Sequence, residues 1–142
     1  MRYRFTNLGN FCSRNVLLEI FLSLAILAST QMIKIIQKHI SESEVQGFLG
    51  KPYEKMIKFV ADIKRECLAL GGEMHADAER VLLDDGSKQM DLWGGNYYPL
   101  DGKKIEYNSF INIRPSAGNR SMDVRDERIR NQMQEIVRRL LR

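Results

Sequence analysis

Cysteine, histidine, proline and tryptophan are scarce in this chain, with two, two, three and one residue respectively among 142. Cys12 and Cys67 lie far apart, and neither belongs to a CxxC or Cys/His cluster. A disulfide framework and a structural zinc site are therefore excluded as organising principles. His39 and His75 share no motif, no HExxH sequence occurs, and no glycine-rich nucleotide loop is present. Repeats and low-complexity tracts are missing as well, which rules out solenoids and fibrous classes. The remaining reading is one ordinary globular domain, with no metal expected and the cofactor left open.

Charge of one sign is also lacking over most of the chain. Residues 32 to 113 carry eleven Lys or Arg against thirteen acids, whereas residues 114 to 142 carry eight Arg against four acids, so the net +4 is local. A basic end of this kind suits an anionic small molecule, nucleic acid or an acidic protein; its plainer meaning is a solvated helix face.

Long hydrophobic runs are confined to the first 31 residues. Arg2, Arg4 and Arg14 precede the apolar stretch from Val16 to Ala28, the shape of a signal peptide and too short for a comfortable membrane span. Glu19 interrupts it, at about 2.5 to 3.5 kcal/mol for a carboxylate in a membrane segment. Met32 then opens "MIKII", a natural first strand. Residues 1–31 read as an upstream extension from an early start or as a signal-like segment. The first makes the protein cytoplasmic and free of the membrane; the second makes it exported or anchored.

Within residues 32–142 the pattern predicts an α+β domain: a small, mostly antiparallel sheet packed against a C-terminal amphipathic helix and one or two further helices. Ile33, Ile35 and Ile36 mark a strand, and "SESE" at 41 to 44 is a capping-box opening for a short helix. Pro52 suits the first turn of another helical piece. Phe59, Ala61 and Ile63 alternate against Val60 and Asp62, so strand is favoured over one long helix through Leu70. "HADAERVLLDDGS" reads as helix with Gly86 as its stop, and "LWGGNYYP" with "KIEYNSFINIRP" as a β-hairpin. Ile129, Met133, Ile136, Val137, Leu140 and Leu141 share one face of a last helix, with Asp123 as its expected N-cap.

Three stretches carry candidate chemistry. In "GGEMHAD", Glu73, His75 and Asp77 are residue types that move protons or bind metals, and their alternation brings them together only on an extended chain. In "INIRPSAGNRS", a strand with Ile105, Tyr107, Ile111 and Ile113 on one face would put Glu106, Asn108, Asn112 and Arg114 on the other. Pro115 ends that strand, and Ser116, Asn119 and Arg120 follow in a loop before the last helix, a setting for an anion. "DLWGGNYYP" adds Trp93 and Asn96 beside two glycines, a stacking platform or ordinary packing.

The blocks "GGEMHADAERVLLDDGS", "DLWGGNYYP" and "FINIRPSAGNRS" resemble those of a small bacterial family classified only as a domain of unknown function, over residues 32 to 141. That resemblance implies a compact bacterial protein and no catalytic assignment. The function expected is binding of an anionic ligand, phosphorylated or nucleic acid, by Trp93, Asn96, Asn108, Asn112, Arg114, Asn119 and Arg120. The alternative is an enzyme using His75 and Asp77, or Glu73, as acid, base or metal ligands.

Overall fold

A computed structural model describes residues 16–20, 32–50 and 52–142. The chain divides into Met1–Thr30 and Gln31–Arg142. Residues 16–20 are helical and exposed. The extension and signal-like readings of the first 31 residues otherwise lie outside the described residues. No described helix is long and apolar enough to cross a membrane.

The second unit is α+β. Five strands, β1 (Lys34–Ile36), β2 (Ile57–Asp62), β3 (Cys67–Leu70), β4 (Leu92–Tyr98) and β5 (Lys104–Glu106), form an antiparallel sheet in the order β1-β3-β2-β4-β5. Three α-helices accompany them: α1 (Glu42–Gln46), α2 (His75–Asp84) and α3 (Glu127–Leu141). Strand was the right reading of residues 57 to 70, as two strands folded back by a turn. Asp62 Oδ1 accepts from the Lys64 and Arg65 backbone N–H groups at 2.9 and 2.8 Å, and this side-chain turn reverses the chain.

Helices on both faces cover the sheet, so its central strands are apolar on both sides. Ile57, Phe59 and Ala61 of β2 pack with Leu68, Leu70, Trp93 and Tyr97 against Met133, Ile136, Val137 and Leu140 of α3. Val60, Cys67, Ala69 and Leu92 pack against Ala78 and Leu82 of α2. The alternation within β2 sorts residues between these layers. Gly95 lets the α3 layer close, since a Cβ there would lie 2.6 Å from Phe59 Cζ and 2.8 Å from the Glu106 carbonyl oxygen.

Local capping follows the sequence in one helix and departs from it in another. Ser41 and Glu44 form the expected capping box of α1. The N-cap of α3 is Asp126, which accepts from the Arg128 N–H; Asp123 instead accepts from the Asn108 side chain at 2.9 Å. Residues 52 to 56 contain no helix, and β2 begins directly after them.

The largest departure is the strand expected over 105 to 113. β5 stops at Glu106, and Phe110–Asn112 is a 3-10 turn. Ser109 causes the switch: its hydroxyl accepts from the Ile111 N–H while its own N–H bonds to the Met122 carbonyl, so local side-chain bonds replace the ladder. The apolar set divides accordingly. Ile105 and Tyr107 join the α3 layer, Ile111 joins the α2 layer, and Ile113 is 43% exposed.

Ile136→Asp should cost several kcal/mol, because Ile136 is only 2% exposed and the new carboxylate would have no partner. Arg138, exposed and paired with Glu135 at 2.6 Å, should cost under about 1 kcal/mol as Arg138→Ala. Urea denaturation checks both, and equal losses would contradict the assigned face.

Candidate functional site

The polar residues of "INIRPSAGNRS" divide between internal scaffolding and surface. Asn112 is fully buried: its Oδ1 accepts from the Gly94 N–H at 2.8 Å, and its Nδ2 donates to the Gly94 and Met122 carbonyls at 2.9 and 3.0 Å. It stands in for a strand at the edge of β4 that β5 leaves uncovered. Asn119 is buried too, donating to the carbonyls of Asn112, Ser121 and Asp123 and accepting from the Arg125 N–H. With these bonds made, both amides hold the backbone of this segment.

Arg114 reaches back to α2. Its guanidinium donates to the Gln89 carbonyl, lies 3.4 Å from the Glu79 carboxylate and stacks 5.0 Å from the Trp93 ring centroid. Burial holds its pKa below the usual guanidinium value, opposed by Glu79. Glu106, Asn108, Asn112 and Arg114 therefore do not share a strand face. Arg120 is exposed and makes no ion pair among the described residues. Asn108 lines a cavity of about 430 Å³ with Glu106, Tyr107, Asp123 and Arg130.

Glu73, His75 and Asp77 separate because His75 opens α2. Asp77 is exposed in the first turn, and Glu73 is exposed ahead of it, its carbonyl accepting from the Tyr53 hydroxyl at 3.1 Å. Only His75 turns inward, 8% exposed, with Nε2 at 2.8 Å from the Gly95 carbonyl. A carbonyl can only accept, so Nε2 carries the proton and Nδ1 bears the lone pair. Among the described residues, no three His, Cys, Asp or Glu side chains are placed to hold a metal.

His75 joins a group on the sheet face that α2 only partly covers. Lys58 pairs with Asn96 across β2 and β4, and Asn96 with Glu106 across β4 and β5, which sets the three in one row. Alternation puts them on the face of Val60 and Leu92. Lys58 is half-buried, its ammonium 5.1 Å from the Tyr53 ring centroid, with no carboxylate partner among the described residues. Asn96 is 8% exposed, its side chain lies against His75 and Glu106, and its Oδ1 has no partner of ordinary hydrogen-bond geometry. Glu106 accepts from the Tyr98 hydroxyl at 2.8 Å and pairs with Lys104 at 3.0 Å.

Electrostatics follow from this packing. Burial pushes the Lys58 ammonium pKa down. Burial also lowers His75 to about 4, against the Gly95 carbonyl and the Asn96 side chain, with the Lys58 charge adding to the fall. Tyr98 rises to about 12 by burial and the adjoining Glu106, whose own carboxyl is held low by the Tyr98 and Lys104 bonds. No side chain caps the N-terminus of α2, where Met74 holds the cap position. The Met74 side chain offers the first-turn N–H groups no acceptor, although its carbonyl accepts from the Asp77 N–H.

His75, Asn96 and the tail of the row at Glu106 come from residues singled out by sequence, brought together here with Lys58 and Tyr98. Lys58 was missed, although a lysine between Ile57 and Phe59 in an apolar strand was the available signal.

Because folding buries His75 as the neutral ring, the unfolded chain binds its proton first. Stability is therefore full above about pH 6.5 and falls as pH drops toward about 4, by roughly 3 kcal/mol from this residue. His75→Gln keeps a donor for the Gly95 carbonyl but cannot titrate. Denaturation across that pH range should show this component vanish in the variant; an unchanged pH profile would contradict a buried neutral ring.

No curated protein and no solved structure matches this chain. A family profile does, over residues 34–140, nearly all of the second unit and every residue of the site. The chain belongs to the family described as "Protein of unknown function (DUF5674)".

Proposed function

We propose that the domain binds a small anionic ligand on the open part of the sheet face beside the N-terminus of α2. The observation that carries this reading is Lys58, a half-buried ammonium with no carboxylate partner among the described residues. Partial burial leaves this ammonium less water than an exposed lysine has, and its place beside the N-terminus of a helix favours an incoming anion. Asn96 Oδ1 adds a requirement, because a buried acceptor without a donor selects a ligand that brings one. The ligand class is an anion bearing a neighbouring hydroxyl or amine, such as a hydroxy acid or a phosphorylated polyol.

Binding fits better than acid–base catalysis. A histidine at about 4 is a weak base at neutral pH, far from the matched value that proton transfer favours. His75 here holds the Gly95 carbonyl and supplies a neutral lone pair. A nucleic acid is the less supported partner, since this site offers one cation where a phosphate chain uses several. We take the compartment to be the bacterial cytoplasm, a reading supported by the free, buried Cys67 thiol.

Phosphate should raise the melting temperature of the wild type beyond the rise given by chloride at matched ionic strength. General exclusion also stabilises proteins, so the comparison is Lys58→Met, which keeps the aliphatic stem and removes the charge. The phosphate-specific part should be lost in Lys58→Met and retained in Arg120→Ala. Loss at Arg120 with retention at Lys58 would move the site to the loop and overturn this reading.

A further inference from the structure

A second cavity lies on the other side of β4, apart from the Lys58 row. It has a volume of about 410 Å³, within the range of small-ligand sites, and is lined by Trp93, Ala117, Gly118, Asn119, Arg125, Asp126 and Ile129. Trp93 is 3% exposed, and its indole N–H is buried with no acceptor. Buried donors in folded proteins are nearly always satisfied, and the protein itself supplies no acceptor for this one.

The polar capacity around the cavity is uneven. Asn119 has donated to three carbonyls and accepted from the Arg125 N–H. The Asp126 carboxylate already holds the Arg128 N–H and its guanidinium, at 2.8 and 3.0 Å. What remains is on the donor side: the Trp93 indole N–H, and the exposed Arg125 guanidinium, which has no ion pair among the described residues. The Arg114 guanidinium over the Trp93 ring makes the indole more attractive to negative charge. Gly118, at φ +79°, has open space where a Cβ would stand, so the loop leaves the mouth clear. Ala117 and Ile129 give the lining an apolar part.

We infer that this cavity binds a small organic carboxylate, which accepts from the Trp93 indole N–H and pairs with Arg125 while a short apolar tail lies against Ile129 and Ala117. A carboxylate suits this pair of donors because its two oxygens can each accept one. The site stands independently of the anion site at Lys58 and uses none of its side chains.

Trp93 is the only tryptophan of the chain, so one indole resonance reports the site without assignment. In ¹H–¹⁵N spectra of the full chain, acetate or benzoate should move that resonance downfield and saturably, while chloride at equal ionic strength should not. Arg125→Gln, a surface change that keeps the backbone N–H bonded to Asn119, should weaken carboxylate binding at least tenfold. Lys58→Met should leave the titration unchanged. An indole resonance that ignores carboxylates, or moves identically in wild type and Arg125→Gln, would overturn the inference; dependence on Lys58 instead would make the response a reflection of the first site.

Discussion

The backbone of Gly94 and Gly95 in β4 must be open to close approach from both sides, and the domain is arranged around that constraint. Asn112 bonds both polar groups of Gly94, completing a sheet edge that β5 leaves short. His75 bonds the Gly95 carbonyl, which fixes where α2 begins. A Cβ at Gly94 would lie 2.7 Å from that of Ser109, so a side chain here would push the loop away and with it the amide of Asn112. These contacts seat the loop of residues 108 to 125 and the start of α2, and both candidate sites lie beside them.

The arrangement sorts polar groups by whether their bonding is complete. Asn112 and Asn119 are saturated, and their burial contributes rigidity without leaving anything to offer a ligand. Arg114 has a carboxylate, a carbonyl and an aromatic ring around its guanidinium. Asn96 Oδ1 and the Trp93 N–H have no hydrogen-bond partner of ordinary geometry, the Lys58 ammonium has only the Tyr53 ring and no carboxylate among the described residues, and all three are held in place by strands rather than by flexible loops. Rigid elements carrying unsatisfied groups are what a preorganised binding site requires.

Much of the fold was legible because it rests on periodicity. The face of α3 follows from Ile129, Met133, Ile136, Val137 and Leu140, and the capping box from Ser41 and Glu44. Periodicity failed over residues 105 to 113, where Ser109 and Asn112 offer backbone bonds in place of continued pairing with β4. The site was legible only in part for the same reason. A buried asparagine that replaces a strand and one that presents a free acceptor look alike in sequence, so Asn112 and Asn96 stood as equals. Lys58 escaped notice because a single lysine inside an apolar strand reads as an ordinary solvent-facing charge, whereas here it is half-buried and close enough to His75 to act on its charge.

In the proposed site the Lys58 ammonium is the counter-charge for an anion. Lysine side chains labelled at Cε allow its titration to be followed directly by NMR. Free Lys58 should titrate below the ordinary lysine value because burial disfavours its charge, and saturating phosphate should raise that value, since an adjacent anion stabilises the ammonium. A Lys58 titration unchanged by phosphate, with other lysines responding equally, would contradict the account.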